Sequence, residues 1–204
     1  IYYQGSASSS KPVIFLHGSS ATSDCAMNIG SVTASFTGLT VSGISSTYNL
    51  LSPILAAKQL QSVTVQNVQI KDLYSNFNQN PTSFAPNGLT ACGSMTANGL
   101  FIFENIGSLT IDTWTLLNNS LVSDSSRDTD WAIIRIINAN DLSFIGDIAI
   151  DILTWTDTGK NIYLPSAFVK VVRGSQFTSP TTDYPKITID NSQINGYYLR
   201  LLSL

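Results

Sequence analysis

The stretch that decides the fold is Leu60–Ile70, which reads Leu60-Gln61-Ser62-Val63-Thr64-Val65-Gln66-Asn67-Val68-Gln69-Ile70. Apolar and polar residues alternate on both sides of Asn67. Such alternation predicts β-strands with one buried face. Asn accepts a left-handed backbone more readily than most residues. Asn67 therefore predicts a sharp bend between two short strands that face the same core.

The same unit recurs along the chain. The other copies are Ser31–Val41, Ile106–Leu116, Ala139–Ile150 (with one extra residue) and Tyr184–Ile194. The predicted left-handed bend positions are Gly38, Asn67, Thr113, Gly146 and Asn191, separated by 29, 46, 33 and 45 residues. Thr113 fits least well, because a β-branched residue resists that conformation.

A more continuous apolar strand precedes each copy. These strands are Val13–Leu16, Ile54–Ala57, Leu100–Phe103, Ala132–Ile137 and Phe168–Val172. A sandwich of hairpins would have short connections between antiparallel strands. Unequal loops inserted between constant three-strand units instead favour a solenoid of about five rungs, in which loops project from the stack without disturbing it.

Composition supports an all-β fold and excludes several classes of function. Charged residues make up 11% of the 204 residues, against roughly 25% in a typical soluble domain. The chain has one Glu, 28 Ser and 20 Thr, which argues against a helical bundle or coiled coil. Its 10 Lys and Arg are spread singly, so nucleic-acid binding is not expected. No apolar run has the ~20 residues of a membrane span.

These units resemble the right-handed parallel β-helix of the pectin-lyase-like superfamily, in a non-catalytic extracellular or surface form. The resemblance is carried above all by Ser62–Ile70 and covers Val13 to Ile194. It implies three parallel sheets wound around an aliphatic core. Right-handedness also follows from the strong preference of parallel crossovers. We expect a single domain over residues 1–204, with an N-terminal extension (1–12), the rungs (13–194) and an apolar tail (195–204).

Enzymes of this superfamily cleave polysaccharides with clustered Asp residues, but their signatures are absent here. His17-Gly18 is only a fragment of a Gly-His-Gly signature. Alternation places Arg135 on the outer face of its strand with Ile133 and Ile137, and it has no acidic residue at helpful spacing. The acidic candidates fit structural positions better. Asp124, Asp128 and Asp130 lie in a solvated Ser-rich loop, Asp147 lies at a bend, and Asp151 ends a strand. We therefore predict no catalytic residue, no metal site and no cofactor.

The tryptophans are the candidates for stacking on sugars. Trp114 occupies an inward position of its unit and is interpreted as core. Trp131 and Trp155 lie at strand ends, where an exposed indole would provide a carbohydrate platform.

Two features suggest an extracellular location. Asn118-Asn119-Ser120 is a glycosylation sequon with Asn118 as the acceptor. Cys25 and Cys92 form an even pair that fits either a secreted disulfide or two buried thiols. We expect the protein to be extracellular or at the cell surface.

The apolar ends of the chain suggest assembly. The candidate contact residues are Ile1, Tyr2, Tyr3, Tyr197, Tyr198, Leu199, Leu201, Leu202 and Leu204. Such residues need a cover, which is either the chain's own last rung, a second copy or an adjacent domain. We predict an extracellular structural protein that stacks into a filament, appendage or surface layer. The alternatives are a carbohydrate-binding or polysaccharide-degrading domain, and an adhesin module that binds through its loops.

Overall fold

The computed structural model describes residues 14–18, 32–44, 53–76, 83–84, 95–96, 98–123, 132–151, 154–157, 167–172, 186–189 and 202–203. Every regular element in these ranges is a β-strand. The strands are β1 (Ile14–His17), β2 (Thr33–Thr37), β3 (Thr40–Ile44), β4 (Leu55–Asn76), β5 (Ser83–Phe84), β6 (Met95–Thr96), β7 (Gly99–Leu117), β8 (Ser120–Ser123), β9 (Ala132–Asp151), β10 (Thr154–Asp157), β11 (Ala167–Val172), β12 (Lys186–Ile189) and β13 (Leu202–Ser203). The all-β prediction is confirmed for this part of the chain.

Eleven of the strands form one sheet in which every described pairing is parallel. The long strands β4, β7 and β9 lie side by side at its centre. β1, β2 and β3 pair with β4, while β11 and β12 pair with β9. The remaining two strands, β5 and β6, form a separate antiparallel pair.

The register aligns the repeated units that the sequence predicts. Val63 lies beside Leu109, and Leu109 lies beside Leu142. The alignment shifts between Asp112 and Trp114, where β9 has one residue more than β7. That residue is the extra one in the fourth copy of the repeat, Ala139–Ile150.

Strand β7 curls back on itself. Phe101 and Trp114 both belong to β7, yet their ring centroids are only 4.5 Å apart. A straight strand would place residues thirteen positions apart at about 43 Å. The curl brings the first and last segments of one strand to opposite sides of a shared interior.

That interior is aliphatic and aromatic. The inward rows stack from strand to strand, for example Leu55 beside Phe101 beside Ile134, all fully buried. Burying each such side chain contributes about 1.5–3 kcal/mol. Because neighbouring strands lie about 4.8 Å apart, the apolar side chains of each row pack directly against one another. The core therefore runs continuously through β4, β7 and β9.

The first segments of β4 and β7 (residues 55–58 and 99–104) also bury side chains on the face of the sheet that points away from the main core. Ala56 and Ile102 point away from the main core and form a second cluster with Met95 of β6, against which Phe15 packs. The prediction that Ile133 lies on this outer face with Arg135 is wrong, because Ile133 is fully buried in the main core. Strict alternation fails there, next to the start of β9.

Candidate functional site

Four of the five predicted bend positions have a left-handed backbone. The φ angles are +79° at Gly38, +54° at Asn67, +53° at Thr113 and +68° at Gly146. Asn191 lies outside the described residues. The residues just before these positions are in register with one another, so the four bends align across the sheet. We call them the second bend row. Even the β-branched Thr113 adopts this conformation, because its neighbours on both sides are fixed in paired strands.

Two further bend rows were not predicted. Gln59, Asn105 and Asn138 form the first bend row, with φ of +57°, +56° and +59°. The Asn138 Nδ2 donates a hydrogen bond to the Asn105 Oδ1 at 2.9 Å. Asp72 and Asn118 form the third bend row, with φ of +53° at both.

A sequence signal for these rows existed. The first row precedes the second by eight residues in each long strand, as in Gln59 and Asn67. The third row follows the second by five, as in Asn67 and Asp72. Amide and carboxyl side chains at these fixed offsets would have revealed both rows. Each long strand is thus divided into segments by single left-handed residues.

A carboxylate stabilises the second bend row. Gln66 Nε2 donates to Asp112 Oδ2 at 2.7 Å, and Thr113 Oγ1 donates to Asp112 Oδ1 at 2.8 Å. Gly146 lies directly against this group, since a Cβ on it would clash with Asp112 Oδ1 and Thr113 Oγ1. Asp112 therefore links the bends of three neighbouring strands, which is a structural role.

Four charged residues, Lys58, Glu104, Arg135 and Lys170, lie in the first segments of β4, β7 and β9 and in the neighbouring β11. Lys58 Nζ and Glu104 Oε1 form an ion pair at 2.7 Å, with side chains 7% and 17% exposed. His17 is in register with Lys58, and its ring stacks on Phe15. Arg135 lies beside Lys170, which is 7% exposed.

This arrangement does not assemble a catalytic constellation among the described residues. Glu104 is the only acidic residue of the outward row that contains Lys58, and it is paired with that lysine. Within the described ranges no three His, Cys, Asp or Glu side chains are grouped as metal ligands. Asp124, Asp128 and Asp130 lie outside those ranges, and the side chains of Asp147 and Asp151 are not among those described.

Trp114 is a core residue. It is fully buried, and its Nε1 donates to the Val65 carbonyl at 2.9 Å. This burial confirms the interpretation of Trp114 as a core residue. Trp131 lies outside the described residues, and only the backbone of Trp155, in β10, is described.

An uncharged row of hydroxyl groups crosses the sheet. Ser35, Thr64, Thr110, Ser143 and Thr188 are consecutive neighbours in five parallel strands. Ser35 is exposed, and the next three are partly exposed. Neighbouring strands are about 4.8 Å apart, so the hydroxyl groups of Ser35, Thr64, Thr110 and Ser143 form a regular line on the face opposite the core.

The sequon occupies the third bend row. Asn118 is exposed, whereas Asn119 is 1% exposed. Asn119 Oδ1 accepts from Leu73 N, and Asn119 Nδ2 donates to Ile70 O, both at 3.1 Å. The two adjacent asparagines thus have opposite environments.

Several predicted residues cannot be placed. Cys25 and Cys92 lie outside the described residues. So do all the predicted assembly contacts except Leu202, which forms β13 with Ser203 and pairs with β11.

No protein-family model, curated protein or solved structure matches this chain. In the described ranges no helix is long and apolar enough to span a membrane.

Proposed function

We propose that the chain is a right-handed parallel β-helix of about five rungs. The contact between Phe101 and Trp114 carries this proposal, because it requires one strand to turn around a core. The three aligned bend rows support it, since the bends at Gln59, Asn67 and Asp72 divide β4 into four short segments that can wrap around one core. In this arrangement β4 and β7, the latter continued by β8, are two complete rungs.

The function we propose for this β-helix is that of an extracellular structural protein that stacks end to end. A parallel sheet offers unpaired N–H and C=O groups along any open edge. Among the described residues, β1, β2 and β3 pair only with β4, while β12 pairs only with β9. A second copy that added its strands at such edges would continue the same register and the same core.

The surface chemistry supports stacking. The hydroxyl row has no charge, so identical copies that extend it meet no like-charge repulsion along it. Low charge in general leaves few barriers to self-association. β13 supports the same view, because the segment near the end of the chain adds to β11 in parallel. β11 thus has a parallel neighbour on each side, β9 and β13.

The test is the oligomeric state. We expect light scattering and electron microscopy to show end-to-end oligomers or filaments that grow with protein concentration. Val32 O accepts from β4, and Gly38 N donates to β4, so the alternate residues of β2, including Ser35, direct their backbone groups away from β4. Ser35→Pro removes an N–H from that edge and should keep the protein monomeric. Ser35→Val, a good strand former, is the matched control. A monodisperse wild-type monomer at high concentration would refute the proposal.

A second candidate is carbohydrate binding, and the hydroxyl row favours it. A regular line of hydroxyl groups presents alternating donors and acceptors to a neutral, extended polysaccharide. We expect sedimentation with insoluble neutral polysaccharides, weakened by the double variant Thr64→Leu and Thr110→Leu. Gln69→Leu, at an exposed position beyond the second bend row, is the control. Absence of wild-type binding across the panel would eliminate this candidate.

A further inference from the structure

The third bend row presents one asparagine side chain to solvent and holds the next one inside. Asn118 has a φ of +53° and an exposed side chain. Asn119 is nearly fully buried, and both atoms of its amide bond the backbone of β4 at Leu73 and Ile70. The bend therefore fixes which of the two amides is available for chemistry from outside.

Asn118 also heads the only Asn-x-Ser/Thr triplet of the chain that lacks a proline at its centre. The other Asn-x-Thr triplet is Asn80-Pro81-Thr82, in which the proline prevents recognition. Ser120, the third residue of the Asn118 triplet, begins β8 and is partly exposed. Motif and exposure thus coincide at one residue.

We infer that Asn118 is an N-linked glycosylation site. The donor is a lipid-diphosphate-linked oligosaccharide. A bond forms between Asn118 Nδ2 and the anomeric carbon of the first sugar, and the bond from that carbon to the diphosphate oxygen breaks. The lipid diphosphate leaves with the bonding electron pair, and the amide gives up one proton. The sugar attaches where the folded chain has room for it, because the Asn118 side chain points into solvent.

The position of this glycan deepens the proposed stacking function, on which this step rests. Ser120, two residues away, is paired on both sides, with Tyr74 of β4 and with Thr154 of β10. Asn118 therefore lies within the stack of strands and away from its open edges. A glycan there leaves end-to-end addition of copies free. It would project once per copy along one corner and oppose side-by-side packing through that corner.

The site is tested by secreting the chain from eukaryotic cells behind an added secretion signal. We expect the intact mass to exceed that of the polypeptide by an oligosaccharide, and a peptide-N-glycosidase to remove the excess. Asn118→Gly, which suits the left-handed backbone, and Ser120→Ala should both abolish the added mass. Ser120→Thr should retain it. A wild-type protein secreted at the bare polypeptide mass overturns the inference.

Asn119→Ser separates the sequon from the fold. It keeps the triplet intact but removes the buried amide that bonds Leu73 and Ile70. We expect it to carry the glycan while unfolding at lower urea concentration than wild type. Loss of the glycan in this variant would count against a site defined by Asn118 and Ser120 alone.

Microscopy of the glycosylated and enzymatically deglycosylated protein distinguishes the two proposals. Filaments in both samples, with lateral bundles only after deglycosylation, support both. A glycosylated protein that forms no filaments, with or without its glycan, would support the glycosylation site and overturn the stacking function. Filaments formed by a protein whose Asn118 carries no glycan would support the stacking function and overturn the glycosylation site.

Discussion

Phe101 and Trp114 stand thirteen residues apart in one strand, and their rings nevertheless contact each other at 4.5 Å with a 54° tilt. The Trp114 indole N–H also bonds the carbonyl of Val65 on the neighbouring strand. One buried side chain thus ties the two ends of β7 together and joins them to β4. The contact reports directly on the curl of the strand around the core.

Trp114→Phe should lower the free energy of unfolding by about 2 kcal/mol. The substitution leaves a small cavity and removes the indole donor from the buried Val65 carbonyl. Urea denaturation measures the change. A free energy of unfolding within about 0.5 kcal/mol of wild type would mean that this contact does not constrain the strand.

Gly146→Ala should destabilise the protein more than Gly38→Ala, although both glycines have positive φ. At Gly38 a Cβ would meet nothing within 4 Å, so we expect only the left-handed strain of about 1–2 kcal/mol. At Gly146 the Cβ would clash with Asp112 and Thr113. Thermal unfolding of the two variants checks the order. Equal losses would contradict the close approach at Gly146.

Breaking the Lys58–Glu104 pair from one side should be costly. Glu104→Leu leaves the ammonium group of Lys58 buried without its partner, and we expect a loss of about 3–5 kcal/mol. Lys58→Met should cost less, because Glu104 is the more exposed of the two side chains. The double variant should recover much of the loss, since an apolar pair can replace a buried ion pair. Urea denaturation of all four proteins measures these changes in the free energy of unfolding. A double variant as unstable as Glu104→Leu would show that loss of the ion pair does not cause the destabilisation.

The bond between Asn105 and Asn138 should appear as coupling in a double-mutant cycle. Asn105→Gly and Asn138→Gly both keep a residue that tolerates positive φ, so the cycle isolates the side-chain contact. We expect a coupling free energy of about 0.5–1.5 kcal/mol. If the losses in unfolding free energy of the two single variants simply add, the hydrogen bond orients the side chains without adding stability.

The second bend row was predictable because its signal is local. Gly38, Asn67 and Gly146 are residue types that favour a left-handed backbone, and alternation resumes directly after each of them. The first and third bend rows contain Asn105, Asn138, Asp72 and Asn118, which tolerate a left-handed backbone, but their fixed offsets from the second row emerge only when the strands are compared. The bend at Gln59 falls on a residue type with no strong turn preference. There the conformation is imposed by the pairing of the strands on either side.

The polar side chains show the same division. The low content of charged residues was evident from the sequence. The ion pair of Lys58 with Glu104 was not, because its partners are 46 residues apart and meet only through the register of β4 and β7. Likewise, nothing in Asn118-Asn119 alone indicates which asparagine points outward.

The all-β character of the described residues, the repeated strand unit and its second bend follow from the sequence, since these depend on side-chain alternation and on the backbone preferences of single residues. Which copies lie side by side, and how far each strand curls, became visible in the folded chain. So did which polar groups are buried in pairs. These properties arise from contacts between residues far apart in the chain. Their free energy depends on a register that no single segment contains.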